Sequence, residues 1–519
     1  MRERGIMVLT MDGLAAGGRA VATRGWPWLL AALALAMAVH APLLGLGFVG
    51  DDFEWWLAAR TALEEPQRLI LPFGGFRPAN LWTIALDQTL YGTAPAGYHL
   101  TSILLHLAAG GGLYLAMRRL AFAAPAAAAV AALWMCSPYS LKPVVSLCER
   151  FEPMLLIAWL AMLVLWPRPG EGWRAGRLAA VVAVGAFSAL VKESWVVLPG
   201  FVLCFELVLR RASLGRALRS AALAAAGVAA YVAAYLLDPP IAGSYYAPNL
   251  APAAKLPHSW AVFLGLTRLD PSSTQLGPAE AAAALTVVAL AWWGWRRRCG
   301  ATAIGLALFL LPLLPVLTVP FLVTRYTYLP LAGFLVTVAA AVRATVEALP
   351  EARRPAARVI VAVVAAAYLG HGLWLVRGDQ ADASRRDDAH RRLLAEATAF
   401  APQLPRDGLI LGVRLERESA NRGLLDRVEG VPKAYYERTR HPYGLIRWAP
   451  LFSFVLDPGG GPLYEECAIE DAGRWSAVGH RSGGFAVLAT EAGSAPQEAA
   501  RLRERGAYVE SFRPLGGGG

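Results

Sequence analysis

The stretch WPWLLAALALAMAVHAPLLGLGFVGDD, residues 26–52, decides the class of this chain. From Trp26 to Val49 it holds no Asp, Glu, Lys or Arg, and a bilayer core is crossed by about 20 apolar residues in a helix. Arg2, Arg4, Arg19 and Arg24 precede it, as they would a secretory leader. A leader is nevertheless the poorer reading. The apolar run is longer than the roughly 7–15 residues of a leader's apolar region, acidic residues follow Gly50 at once, and further apolar windows come after it. The whole chain repeats the theme: of 519 residues, 56% are hydrophobic and 17% charged, against about 25% charged in soluble domains. Mean hydropathy is +0.43.

Working outward, apolar windows bounded by breakers predict spans near 27–48, 97–117, 120–136, 151–166, 178–191, 194–209, 220–237, 277–295, 301–320, 328–343 and 358–376, about eleven crossings. The net charge of +11 is concentrated in alternate connections: Arg118-Arg119, Arg168 to Arg177, Arg210 to Arg219, Arg296 to Arg298, and Arg343 to Arg358. That is the positive-inside pattern. The charge therefore reports topology, and nucleic acid is excluded as a partner. Residues 1–25 are expected in the cytoplasm, and an odd number of crossings places the C-terminus outside. The membrane domain runs over 26–376, with a first outer loop at 50–96. Within that loop, Asn80 to Leu90 reads as an amphipathic helix lying on the membrane.

From about Arg377 the composition becomes that of a water-soluble domain. A charged helix is expected over Arg385 to Phe400, and strands over Leu409 to Val413, Leu451 to Leu456 and Phe485 to Ala489. The expectation for 377–519 is a small mixed α/β domain on the outer side. Cys136, Cys148, Cys204, Cys299 and Cys467 show no paired metal spacing, and no disulfide pairing can be deduced from them.

Ionisable groups at membrane depth are costly and so are candidates for function. Asp51-Asp52, with Glu54, opens the first outer loop. A partly desolvated carboxylate there can act as a general base toward a hydroxyl group; the plain alternative is an acidic helix stop. Arg77 follows, then Tyr98-His99 and His106, the two histidines two turns apart on one helix face. A histidine in a span is more often a hydrogen-bonded packing residue. Lys142 and Glu149-Arg150 belong to the second outer segment, and Lys192-Glu193 separates two spans. Each adjacent pair, taken alone, reads as an ion pair neutralising itself at a helix end. Arg325 stands beside Tyr326 and Tyr328, where an aromatic anchor with a snorkelling arginine is the plain reading. Together these outer ends collect carboxylates and cations, the combination needed to remove a proton from an acceptor and to hold a phosphate leaving group. No Walker loop or Rossmann glycine fingerprint is present, so a soluble nucleotide cofactor is not indicated.

Four motifs carry a family resemblance. FRPANLWTIALDQTLYGTAPAGYHLTSILLHL from Phe76, ALVKESWVVLP around Lys192-Glu193, RYTYLPLAGF from Arg325, and Asp51-Asp52 at the end of the first span resemble bacterial glycosyltransferases of the GT-C superfamily. Their order is most similar to the transmembrane O-mannosyltransferases often fused to tetratricopeptide repeats. The resemblance covers Gly50 to Leu335. It implies a polytopic GT-C-like fold, a polyprenyl-phosphate-linked sugar as donor, inverting transfer and a periplasmic site in the bacterial inner membrane. It also implies that one of Asp51 and Asp52 is the base and that Arg77, His99, Lys192 and Arg325 contact donor or phosphate. Two departures bear on the acceptor. Ser137-Pro138 stands where relatives often have histidine-proline, and the repeats are absent.

The function expected is thus transfer of a sugar from a polyprenyl-phosphate donor to a hydroxyl of a protein, lipid or glycan acceptor. A divalent metal is neither required nor excluded by these residues. The rival reading, a lipid or polysaccharide transporter or an assembly scaffold, predicts polar residues along a path reaching the inner side. Here they gather at the outer ends of spans rich in alanine and leucine.

Overall fold

The computed structural model describes residues 25–48, 51–69, 77–167, 171–237, 255–264, 266, 277–296, 300–315, 324–400, 454 and five short strands beyond residue 409. The helices are α1 Trp26–His40, α2 Asp52–Glu64, α3 Pro78–Tyr91, α4 Pro95–Arg119, α5 Ala124–Met135, α6 Phe151–Leu165 and α7 Ala175–Val191. There follow α8 Leu198–Cys204, α9 Leu214–Leu237, α10 Lys255–Phe263, α11 Pro278–Arg296, α12 Gly300–Leu310, α13 Tyr328–Ala348 and α14 Arg354–Phe400. Proline sits in the first turn of α1, α3, α4, α5 and α8, where its missing N–H costs nothing.

Trp26–Gly45, Pro95–Arg119, Arg325–Ala348 and Glu351–Arg385 are long and apolar enough to cross a membrane. Shorter apolar helices, among them Ala124–Met135, Ala175–Val191 and Gly300–Leu313, accompany them. The chain is a multi-pass helical membrane protein. Its helices meet where side chains are small, because lipid gives apolar helices no hydrophobic reason to associate and close van der Waals contact must do so. α12 and α13 touch backbone to backbone: a Cβ placed on Gly333 would lie 2.2 Å from the Phe309 nitrogen.

A buried aromatic and histidine cluster joins α1, α4, α5 and α13. The Nε2–H groups of His40 and His106 both donate to the Met135 carbonyl, at 2.9 and 3.0 Å. Tyr328 donates its hydroxyl proton to His106 Nδ1 at 2.8 Å, and Trp134 Nε1–H donates to the Tyr328 carbonyl at 3.1 Å. The network assigns both imidazoles as Nε2–H tautomers. His106 is therefore a packing residue here, the plainer of its two readings.

Residues expected on one side of the membrane meet one another. Arg119 donates to the Trp166 carbonyl, Arg343 to the carbonyls of Leu120 and Ala121, and Arg210 pairs with Glu206, which also accepts from Trp166 Nε1–H. The expected outer residues gather separately, as described below.

Three elements differ from expectation. α2 forms within the first outer loop, which had suggested a helix only over Asn80 to Leu90; that one is present as α3. The predicted span 358–376 and the predicted charged helix 385–400 are one continuous helix, α14, so the composition change at residue 377 falls inside a helix. In the expected strand Leu451 to Leu456 only Phe454 lies within the described residues, and it is helical. The strands β1 Ile410–Arg414, β2 Tyr464–Cys467, β3 Ser476–Val478, β4 Ala486–Ala489 and β5 Tyr508–Pro514 pair antiparallel in the order β2-β5-β1-β4-β3.

Candidate active site

The residues expected on the outer side are joined by one segment of seven, Ser146 to Glu152, running from the turns after α5 into α6. Pro138 and Pro143 interrupt the chain after α5 and leave only short turns, Pro138–Ser140, Lys142–Val145 and Leu147–Glu149. Side-chain hydrogen bonds replace the missing helical ones: Ser137 accepts from the Tyr139 N–H, and Ser140 donates to the Trp134 and Ser137 carbonyls.

Nearly every residue of the segment then reaches a different element. The Ser146 hydroxyl and Leu147 N–H donate to Asp52 Oδ1 at 3.3 and 2.8 Å. Cys148 lies among the carboxylates; burial foremost, then the charges of Asp51, Glu149 and Asp52, push its thiol well above the usual range. Glu149 Oε1 accepts from Arg325 at 3.3 Å. Arg150 pairs with Asp87 on α3 at 2.6 Å and donates to Ser102 Oγ at 2.9 Å and to the Tyr98 carbonyl. The Phe151 ring carries Arg77 at 4.4 Å on its face and Lys192 at 4.8 Å. Glu152 forms a buried ion pair with Lys192.

From there the charges continue in a chain. Arg77 binds Glu193 with both arms, at 3.1 and 2.6 Å. Loss of water around Glu193 works against its ionisation, yet Arg77 and then Lys192 outweigh that and hold its carboxyl at about 2. Tyr326 receives Lys192 and Arg325 on its ring, each at 5.2 Å. Such stacking keeps guanidinium and ammonium groups in place without neutralising them.

The expected site residues separate into groups. Asp51, Asp52, Arg77, Glu149, Lys192, Glu193, Arg325 and Tyr326 are linked through the segment. Within the acidic pair, Asp52 is wholly buried and Asp51 half-buried at the start of α2. Arg150 is also in the segment, but it is fully buried and held by Asp87, Ser102 and the Tyr98 carbonyl. His99 donates to the Gly47 carbonyl at 3.1 Å, holding the end of the first span. Lys142 is exposed on its short turn, apart from this network. Sequence reasoning passed over Asp87, Phe151, Glu152 and Asp387. Glu152 carried a usable signal, a second carboxylate one turn after Glu149 in an otherwise apolar span. Among the described residues, no three His, Cys, Asp or Glu side chains converge as a metal-ligand set.

No family model and no curated protein matches the chain. Among solved structures, ArnT from Cupriavidus metallidurans in the apo state is similar with a TM-score of 0.50 at 15% identity, covering 91% of this chain and 99% of that one. The same protein bound to undecaprenyl phosphate gives 0.44 at 16% identity, covering 84% and 78%. An Archaeoglobus fulgidus oligosaccharyltransferase tethered to an acceptor peptide gives 0.47 at 14% identity, covering 73% and 57%. At 15% identity and a TM-score of 0.50, what the chain shares with ArnT is its fold.

Proposed function

We propose that this protein is an inner-membrane glycosyltransferase that moves a sugar from a polyprenyl-phosphate donor to a hydroxyl acceptor on the periplasmic side. The observation that carries the reading is the Ser146–Glu152 segment, which ties an acidic pair and three ring-stacked or ion-paired cations into one network on a GT-C fold. About eleven crossings, a cytoplasmic N-terminus and an outer α/β domain over 377–519 complete the arrangement, on the strength of the alternating basic loops.

In this reading Asp51 takes the proton from the acceptor hydroxyl. The freed oxygen attacks the anomeric carbon as the bond from that carbon to the lipid phosphate breaks, and configuration inverts. The phosphate leaves with the electron pair as an anion. It needs no general acid, because Arg77, Lys192 and Arg325 offset its developing charge. Asp52, with one carboxylate oxygen held by Leu147 N–H and Ser146, positions the turn that carries Asp51. Glu149, Glu152 and Glu193 keep the three cations aimed before donor arrives. Lys142, exposed at the same end, is left to acceptor or lipid headgroup contact.

The test is transfer of label from radiolabelled polyprenyl-phosphate sugars into membrane extract by purified protein. D51N is expected to lose activity by about 100-fold or more, the scale of positioned acid–base catalysis, while remaining folded. D52N is expected to lose activity together with thermal stability. Full transfer by both variants would sink the assignment.

A further inference from the structure

The acidic pair is flanked by aromatic rings that have a partner far along the chain. Phe48 precedes Asp51-Asp52, and Phe53 and Trp56 follow it; all three are buried. Phe454 stands edge-on to each of them, with ring centroids at 5.3 Å from Phe48, 5.3 Å from Phe53 and 5.0 Å from Trp56. Phe48 also meets Phe53 at 5.9 Å and Tyr98 at 5.0 Å. Phe454 is itself 8% exposed. Edge-to-face contacts of this kind favour particular ring angles as well as burial. One ring therefore touches both arms of the turn that carries Asp51 and Asp52.

We propose that Phe454 is a positioning residue for sugar transfer: the C-terminal region inserts this ring into the Phe48–Phe53–Trp56 cage and so sets the geometry of the acidic turn. The inference rests on the transferase reading above. Asp52 is also held by Leu147 N–H and Ser146, so the turn has two clamps: a polar one from the segment after α5 and an apolar one from Phe454. Releasing either lets the carboxylates wander, and a misplacement of about 1 Å at reacting groups can cost about 100-fold in rate. The region beyond the membrane helices would thus form part of the catalytic unit, and its sequence would bear on rate as well as on acceptor choice.

Two measurements on the full-length protein test this. A photo-crosslinking phenylalanine analogue at position 454 is expected to attach to the peptide spanning 48–56, mapped by mass spectrometry; attachment elsewhere, or none, overturns the contact. In the transfer assay, normalised to monodisperse protein, F454A is expected to lower kcat about 10- to 100-fold with donor KM within about twofold, and F454W or F454Y to restore most of it. F454A at wild-type kcat, or faster, overturns the positioning role while leaving the transferase reading intact. Wild-type protein that transfers from no donor although the crosslink forms removes the transferase reading and the positioning role with it.

Discussion

Replacing Arg150 separates an internal pin from a donor-binding cation. Its side chain is 0% exposed and that of its partner Asp87 is 1%, with 2.6 Å between them. At that distance, with an effective dielectric constant of about 20, the attraction is roughly 6 kcal/mol, and removing two charges from water takes back several kcal/mol per ion. The pair as a whole therefore contributes little net stability. The single variant R150M is different, because among the described residues it leaves the buried Asp87 with only the Thr101 hydroxyl, at 2.6 Å, as a hydrogen-bond partner. Burial already pushes the Asp87 carboxyl upward, against the pull of Arg150 and Thr101. Without the guanidinium it takes up a proton, or the site opens. The expected cost is about 3–5 kcal/mol. It should appear in detergent-solubilised protein as a melting temperature lowered by about 3–5 °C, or as loss of the monodisperse peak. The double variant R150M/D87N should recover at least about 2 kcal/mol of this, within the coupling expected of neighbours. R150M that melts like the wild type but no longer binds donor would refute the reasoning and return Arg150 to the substrate contacts.

Three further outcomes follow from the geometry. Because the Glu193 carboxyl is held at about 2, its contribution to stability is complete above the unfolded value near 4.5 and is lost as pH falls from there through 2. E193Q should flatten that part of a pH–stability curve and leave the curve above pH 6 unchanged in shape; a wild-type curve already flat below 4.5 would contradict the pairing. G333A forces a Cβ against the backbone of α12 and should destabilise by about 1–3 kcal/mol or more, read as early loss of the monodisperse peak on heating. Ala121, at φ 63° just after α4, sits in the left-handed region that costs a side-chain-bearing residue roughly 1–2 kcal/mol. A121G should therefore raise the melting temperature, and a decrease would show that Arg343, which caps the Ala121 carbonyl at 3.0 Å, needs the alanine backbone held as it is.

The sequence made the helices legible because apolar runs, opening prolines and basic loops are local signals. Each expected span contains a helix, and the surface helix after Arg77 was found to within two residues at its start. The acidic pair and the Lys192, Glu193 and Arg325 motifs were legible as charged groups at helix ends. Their partners were not. Arg150 and Asp87, or Arg77 and Glu193, come together only because particular helices pack side by side, and residue order does not record which helices those are. Arg150 looked like half of a self-neutralising pair with Glu149, yet the two diverge, one to Asp87 and the other to Arg325. That α14 runs through the composition change at residue 377 has a similar cause. Helical hydrogen bonds reach only four residues, so a helix continues unhindered through a change from apolar to charged side chains.

The clasp between α14 and the first outer turn has a consequence for how this protein comes into being. Asp387 Oδ1 accepts from the Gly47 N–H at 2.8 Å, across 340 positions of chain, and a Cβ at position 47 would fall 2.7 Å from that oxygen, so a larger residue there would push the Asp387 carboxylate aside. At about 5–20 residues per second, ribosomes need about 20–70 s to deliver Asp387 after Gly47. For that interval the turn leading to the acidic pair waits in the membrane without its fastener. That turn is synthesised long before its fastener, so a chain cut short between the two would carry the acidic pair without this contact.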